Sequence, residues 1–301
     1  MWAGNKGHHV RSMVQGTDLS QGLIMPLQSF SEVTNVIDDL TQREGKEIAL
    51  KKVMEMSFDI PLNVRKWQLS PAEAKRSLGP PPAFVPKTNL ERAQNYKSLF
   101  TTYLDAVFQE STKMDGASMS IYYVRRDSQW YRALPPLGKN CDADMTNGRI
   151  GVCSRRHDLP VTPGLWWDMA LRYDLPNKLA RINHNVVIQG ELCGSTINGN
   201  REGFARGQHD FFVFRMFEID TQTFIHPQTV HERAKTLGLK HVPVHCYARL
   251  HDMAKNQEDL LRRAEGKGIF GNNREGLVYK NCADGRAFKS ISNSYLLKIG
   301  E

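Results

Sequence analysis

Residues 112–116 read TKMDG, a lysine two places before an Asp-Gly pair, set between stretches that alternate like strands. Taken alone, the segment is a surface turn, with Lys113 and Asp115 solvated and Gly116 supplying the backbone freedom. An amine and a carboxylate flanking one methionine at a strand end can also be a chemical pair. Five residues cannot choose between these readings. The choice rests on what else the chain carries.

The chain has 301 residues, enough to bury a sizeable core as one large domain or two smaller ones. Hydrophobic residues make up 40% of it, a globular composition and not a disordered one. A formal charge of +8 suits a polyanionic partner, without separating nucleic acid from an acidic membrane surface. No apolar run approaches the roughly 20 residues of a membrane span, and the opening MWAGNKGHHV lacks a signal-peptide core. The expectation is a soluble intracellular protein with no membrane partner. Five cysteines (Cys141, Cys153, Cys193, Cys246 and Cys282) are scattered without a C-x-x-C pair, which favours reduced thiols over a zinc ribbon. In HVPVHC, Pro243 breaks the helix that would set His241, His245 and Cys246 on one face, so metal binding there is disfavoured.

The proline run GPPPAFVPK, residues 79–87, reads as an extended linker. It divides an N-terminal segment, 1–78, from a main domain, 79–301. Directly after it, TNLE forms a capping box between Thr88 and Glu91 and predicts a helix from about Asn89 through RAQNYKSLF. Before it, SQGLIMPLQSF looks strand-like, and NVIDDLTQREGKEIALKKVMEM predicts a polar helix or helix pair. After it come four alternating runs, ASMSIYYV, NVVIQGELCG, DFFVFRMFEID and REGLVYKN, each rich in β-branched and aromatic residues. Helical stretches intervene. GLWWDMALRYDL ends before Pro176, and NQEDLLRRAEGKG has acids in its first turn, arginines in its last and Gly266 as a stop. Strands and helices interleave without a βαβ rhythm, which predicts an α+β domain built on antiparallel sheets flanked by helices.

With these elements placed, TKMDG gains company in a fixed order: GVCSRR (151–156), IQGELCG (188–194), FFVFRMF (211–217), REGLVYK (274–280) and FKSISN (288–293). In this order the segments resemble the nucleotidyltransferase motifs of the covalent lysyl-nucleotide superfamily, which comprises polynucleotide ligases and mRNA capping enzymes. The flanking strings FVPKTNLERAQN, GELCGSTINGN, AEGKG and ISNSYLLK look like ATP-dependent RNA ligases of the nick-sealing type, which usually carry an N-terminal OB module. Only about 20 residues precede the SQGL segment, too few for a five-stranded barrel. Residues 1–78 are then expected to be a remnant of that module or a linker from it.

The resemblance implies an ATP-grasp-like nucleotidyltransferase domain and a role for each matching residue. Lys113 is the nucleophile that attacks the α-phosphorus of ATP; only its neutral amine can attack, so it must lose a proton. Asp115 and Glu191 lie near the ribose, with Gly116 completing the turn beside the nucleotide. Arg155 contacts the nucleotide, and Arg156 is an equally good phosphate binder by chemistry alone. Phe214 stacks on adenine, with Phe212 the alternative, since a strand carrying four phenylalanines mostly serves a core. Glu275 holds a divalent metal, Mg²⁺ or Mn²⁺. Lys280 and Lys289 are candidate phosphate ligands. The K-x-K pair common in the last motif is incomplete here, because Ile291 stands where the second lysine would be.

The structural alternatives are a turn-stabilising Asp115 and ion-paired Glu191 and Glu275. Arg262, Arg263, Lys267, Lys235 and Lys240 form either a phosphate-tracking surface or an ordinary solvated face. Trp166 and Trp167 are read as one core and one surface residue. The function implied is an RNA ligase acting on RNA, a nicked duplex above all, and as a monomer. The rivals are a capping-type guanylyltransferase using GTP and a silent nucleic-acid-binding relative.

Overall fold

The four alternating runs all become antiparallel strands, and the sheets they build position everything else. A computed structural model describes residues 13–15, 18–20, 25–64, 76–137 and 143–300. By internal contacts the chain divides into Met1–Ser70 and Pro71–Glu301.

In the first unit, β1 (Met13–Gln15) pairs antiparallel with β2 (Asp18–Ser20). Two helices follow, α1 (Ser31–Glu44) and α2 (Lys46–Glu55), parted by Gly45 at φ 86°. This is the expected helix pair. The expected strand over SQGLIMPLQSF is realised differently. Leu27–Ser29 forms a 3₁₀ turn, and residues 21–24 lie outside the described residues.

The second unit opens with β3 (Glu91–Arg92), α3 (Leu99–Thr102), β4 (Val107–Lys113) and β5 (Ala117–Arg125). It continues through β6 (Asp144–Met145), β7 (Gly148–Ser154), β8 (Asp158–Leu159), α4 (Leu165–Arg172), α5 (Leu175–Ile182) and β9 (Val186–Gly194). Next come β10 (His209–Glu218), β11 (Thr223–Phe224), α6 (Pro227–Thr236), β12 (Lys240–His241), β13 (Val244–Arg249) and α7 (Leu250–Met253). It ends with α8 (Gln257–Ala264), β14 (Gly276–Asn281), β15 (Ala287–Ile291) and α9 (Asn293–Ile299). One sheet has the order β11-β10-β9-β5-β7-β6, with β12 beside β10 and β8 beside β7. The other has the order β13-β4-β14-β15-β3. All pairings are antiparallel except β12 with β10 and β3 with β15.

Each sheet is covered by helices. Trp167 of α4, Leu175 and Leu179 of α5 and Val230 of α6 join Ile121, Ile150 and Ile188 of the larger sheet in one buried cluster. Leu250 of α7 and Leu260 of α8 join Phe108, Leu277, Tyr279 and Phe288 of the smaller sheet in another. Alternation then sends Gln109, Ser111 and Lys113 of β4, with Val278 and Lys280 of β14, away from that second cluster. The α+β reading is borne out.

Two local expectations are corrected and one holds. No helix starts at Asn89. Thr88 Oγ1 lies 3.1 Å from Ser118 Oγ, Arg92 pairs with Lys289 in the sheet, and only a 3₁₀ turn (Ala93–Asn95) and the short α3 follow. A capping interaction stabilises by about 1 kcal/mol, whereas burying a leucine side chain stabilises by roughly 1.5–3 kcal/mol; Leu99 is 1% exposed in the second cluster. The helix expected to end before Pro176 does so: α4 stops at Arg172, and Pro176 sits in the first turn of α5, where a missing N–H costs nothing. The proline run is not a free linker. Phe84 is 2% exposed and packs edge-on against Tyr122, ring centroids 5.5 Å apart.

Candidate active site

Lys113 is the last residue of β4, pairing with Gly276 of β14. The chain turns at once through Met114 and Asp115 into β5, which belongs to the other sheet. TKMDG is therefore the crossing point between the sheets. Gly116 is required by close approach, since a Cβ there would stand 2.5 Å from the Leu192 carbonyl oxygen and 2.8 Å from Cys193 Sγ. Below the turn lies a cavity of about 820 Å³. Lys113, Glu275 and Lys289 line it from the smaller sheet, and Glu191, Phe214 and Arg215 from the larger.

Lys113 is not the solvated lysine of an ordinary turn. Its side chain is 23% exposed, and Nζ donates to Glu275 Oε2 at 2.6 Å. Burial alone pushes its pKa down, but the charges of Glu275, Glu191 and Asp115 outweigh it and hold the amine above the usual lysine range. Glu191 is pushed up to about 7, by burial first and by Glu275 and Asp115 after it, with Lys113 opposing. The lysine thus sits between two carboxylates that keep it charged.

Asp115 is 8% exposed and already engaged. It accepts from Tyr295 Oη at 2.6 Å and Asn198 Nδ2 at 2.9 Å, with an Arg201 nitrogen at 3.4 Å. Its own backbone N–H donates to Glu202 Oε1 at 2.7 Å. Glu202 is buried, and that burial raises its pKa. The four residues Asn198, Arg201, Glu202 and Tyr295 fix the turn and were not singled out from the sequence. NGNRE and ISNSY carry no periodicity that marks them, and only the fold brings them beneath Asp115.

The other sequence-selected residues also reach the cavity. Arg155 lines it and donates to Asn89 Oδ1; Arg156 lines it too. β10 carries a bulge between Val213 and Arg215, so consecutive Phe214 and Arg215 both face the cavity. Phe212 instead packs into a core with Phe204, Met114 and Val242. Lys289 is half-buried on the cavity wall, its pKa lowered by burial and then by Lys113. Ile291 is 5% exposed and pairs with Gly276.

Lys280 lies at the far end. It is 6% exposed, and burial pushes it down to about 7. Arg215, lowered by burial to about 10, donates from Nε and a terminal nitrogen to Gln189 Oε1, at 3.0 and 2.8 Å.

Most basic residues after position 234 are committed within the chain. Arg263 makes a two-pronged bond to the buried Glu110 at 2.8 and 2.9 Å. Arg262 pairs with Asp259, Lys240 with Asp210, and Lys267 bonds Asn273, while Lys235 is exposed. Trp167 is in the core and Trp166 is half-buried at the cavity wall. Among the described residues no group of histidine, cysteine, aspartate or glutamate could hold a metal by itself, and Cys153, Cys193, Cys246 and Cys282 are free thiols. Cys141 lies outside the described residues.

A family model described as RNA ligase matches residues 106–293, which hold all the cavity-lining residues except those at 88–91. The solved structures similar to this chain include Naegleria gruberi RNA ligase with pyrophosphate. They also include a lysine-to-methionine variant of that enzyme with AMP and Mn. Each is 28% identical with a TM-score of 0.62, and each match covers 97% of this chain and 77% of the other. A lysine-to-alanine variant with ATP and Mn matches at the same identity and TM-score. No curated protein sequence matches the chain significantly.

Proposed function

The chain belongs to the RNA ligase family, and we propose that it is an ATP-dependent enzyme that joins a 3′-OH to a 5′-phosphate, sealing nicks in duplex RNA. The observation that carries this reading is Lys113 at the crossing of two sheets, its amine in a cavity of about 820 Å³ and 2.6 Å from Glu275.

The first step needs the Lys113 amine without its proton. Nζ attacks the α-phosphorus of ATP, a phosphoramidate N–P bond forms, and the P–O bond to pyrophosphate breaks. The strand end holds the amine in one direction, which is most of what an in-line displacement needs from the protein. Lys289 faces the same region and balances phosphate charge. Phe214 offers its ring to the base and Asp115 its remaining lone pairs to the ribose. In the second step a 5′-phosphate oxygen of RNA attacks the lysyl-AMP phosphorus and releases Lys113. In the third, the 3′-OH attacks the adenylated 5′-phosphorus and expels AMP.

A divalent cation fits this donor set. Glu275 has one oxygen beyond its bond to Lys113, and Glu191 accepts no hydrogen bond among the described residues. One or two carboxylates completed by substrate phosphates is the usual environment of Mg²⁺. Glu275 and Glu191 would hold the ion, and its positive charge would draw these carboxylates from Lys113 and favour the neutral amine.

The test is incubation with labelled ATP or GTP and metal, followed by nicked RNA duplex. ATP is expected to label the protein and the label to pass to the 5′ end at the nick. Labelling by GTP alone would make the chain a guanylyltransferase, and no label from either would overturn the enzyme reading.

A further inference from the structure

The carboxylate that holds Lys113 is itself held from behind. Glu275 lies just before β14, outside the strand whose first residue, Gly276, pairs with Lys113. Its neighbour Arg274 does not line the cavity and turns instead to the C-terminus of α8. There Nε donates to the Ala264 carbonyl at 3.1 Å, and Nη2 donates to the carbonyls of Arg263 and Glu265 at 2.6 and 2.7 Å. Its backbone N–H donates to the Gly266 carbonyl at 3.1 Å. The last carbonyls of a helix have no partner inside it, and a cation there also meets the negative end of the helix dipole.

A second link reaches the same helix end. The Glu275 carbonyl accepts from the Ser292 N–H at 2.9 Å, and Ser292 Oγ donates to Glu265 Oε2 at 2.8 Å. A third runs to the strand of the lysine. Arg274 Nη1 lies 3.3 Å from His245 Nε2, and that ring nitrogen lies 2.9 Å from Thr112 Oγ1. A guanidinium only donates, so Nε2 is the acceptor and His245 is neutral, with its hydrogen on Nδ1. Burial, and then the charge of Arg274, lower the His245 pKa in the same sense. Thr112 precedes Lys113 and Arg274 precedes Glu275. One imidazole therefore joins the residues immediately before the two members of the Lys113–Glu275 pair.

We propose that Arg274 is a positioning residue: clasped to the end of α8 and, through His245, to Thr112, it sets the Glu275 carboxylate against Lys113 for nucleotide transfer. This rests on the nucleotide-transfer reading of the site above. The role needs arginine. Its planar fork reaches the carbonyls of residues 263–265 and the imidazole at once, whereas the single nitrogen of a lysine cannot span them. Without the clasp the backbone before Glu275 is free to shift, and a displacement of about 1 Å at a reacting group can cost on the order of 100-fold in rate.

The experiment is a double-mutant cycle, read as single-turnover adduct formation on Lys113 from ATP and Mn²⁺. Arg274→Lys is made in the wild type and in Glu275→Gln. In the wild type it is expected to lower the maximal rate by roughly 10- to 100-fold, with the half-saturating ATP concentration changed only a few-fold. In the Glu275→Gln background no carboxylate is left to place, so the same change should cost less than about 3-fold. Equal losses in both backgrounds would overturn the assignment and make Arg274 a helix cap alone. So would an unchanged maximal rate, or a loss confined to ATP affinity. His245 is exposed and gives a second arm should Arg274→Lys fail to fold. His245→Ala is expected to slow the maximal rate by roughly 10-fold, and His245→Gln, which keeps an acceptor near the place of Nε2, to restore most of it. A wild-type rate in His245→Ala, or a loss that His245→Gln does not relieve, would overturn the assignment. No adduct on the wild-type chain would overturn the nucleotide-transfer reading, and this assignment with it.

Discussion

Lys113 Nζ and Glu275 Oε2 are 2.6 Å apart, across the paired ends of β4 and β14. Lys113 therefore rests as a charged ammonium, held so by the carboxylate that in the proposed reaction would also hold the metal. On the proposed mechanism nucleotide attack requires that partnership to be broken, which would tie the lysine's reactivity to the ion.

Glu275→Gln tests the tie. The variant keeps the shape of the side chain and loses its charge, so Lys113 is held less firmly in the ammonium form while the metal loses its ligand. Adduct formation at saturating ATP is expected to fall roughly 100- to 1,000-fold, the cost of losing about 2.7–4 kcal/mol of transition-state stabilisation. ATP affinity should change only a few-fold. A titration with Mn²⁺ separates the two, since a ground-state role would move affinity and rate together.

Glu191 makes a stability prediction with a definite sign. Its folded pKa of about 7 lies above the usual glutamate value of 4.5. Between those values the folded state binds more protons than the unfolded one, so stability falls as pH rises through this window. Glu191→Gln should remove that loss. Thermal unfolding is expected to show the variant more stable than wild type at pH 8 and little different at pH 4, even as adduct formation drops. A variant less stable at both values would mean that the carboxylate is a structural ion-pair partner.

Phe214 and Phe212 should respond oppositely. Phe214→Ala is expected to raise the KM for ATP by roughly 10-fold or more, from a base–aromatic contact of about 1–3 kcal/mol, with a small change in melting temperature. Phe212→Ala, in the core with Phe204 and Met114, is expected to cost about 3–5 kcal/mol of stability. Denaturant unfolding alongside ATP kinetics checks both.

Tyr295→Phe removes the hydroxyl that donates to Asp115 at 2.6 Å. A hydrogen bond to a charged group contributes about 1.5–3 kcal/mol, so the variant should melt lower. Because Asp115 sits on the turn that carries Lys113, adduct formation should slow as well. An unchanged rate at equal stability would show that Asn198 and Arg201 hold the turn by themselves.

The sequence carried the strands and the reactive turn because both depend on local pattern. Alternating β-branched and aromatic residues specify ASMSIYYV and NVVIQGELCG as strands wherever they pack. The motif order singled out Lys113, Glu191 and Glu275, all of which line the cavity. What was illegible depended on tertiary contact. The capping box at Thr88 was outweighed by the burial of Leu99 and the pairing of Arg92 with Lys289. The support beneath Asp115 comes from Asn198, Arg201, Glu202 and Tyr295, which lie 83 to 180 residues away in the chain. That Phe214 and not Phe212 lines the cavity follows from a bulge in β10 that no propensity announces.

The central claim is that Lys113 takes up AMP, and intact-protein mass after incubation with ATP and Mg²⁺ or Mn²⁺ tests it most directly. The account expects the wild-type chain to gain the mass of one AMP, the adduct to map to the peptide carrying TKMDG, and Lys113→Ala to gain nothing while keeping its fold by circular dichroism. An AMP adduct on folded Lys113→Ala, or a wild-type chain that stays unmodified with both metals present, would contradict it.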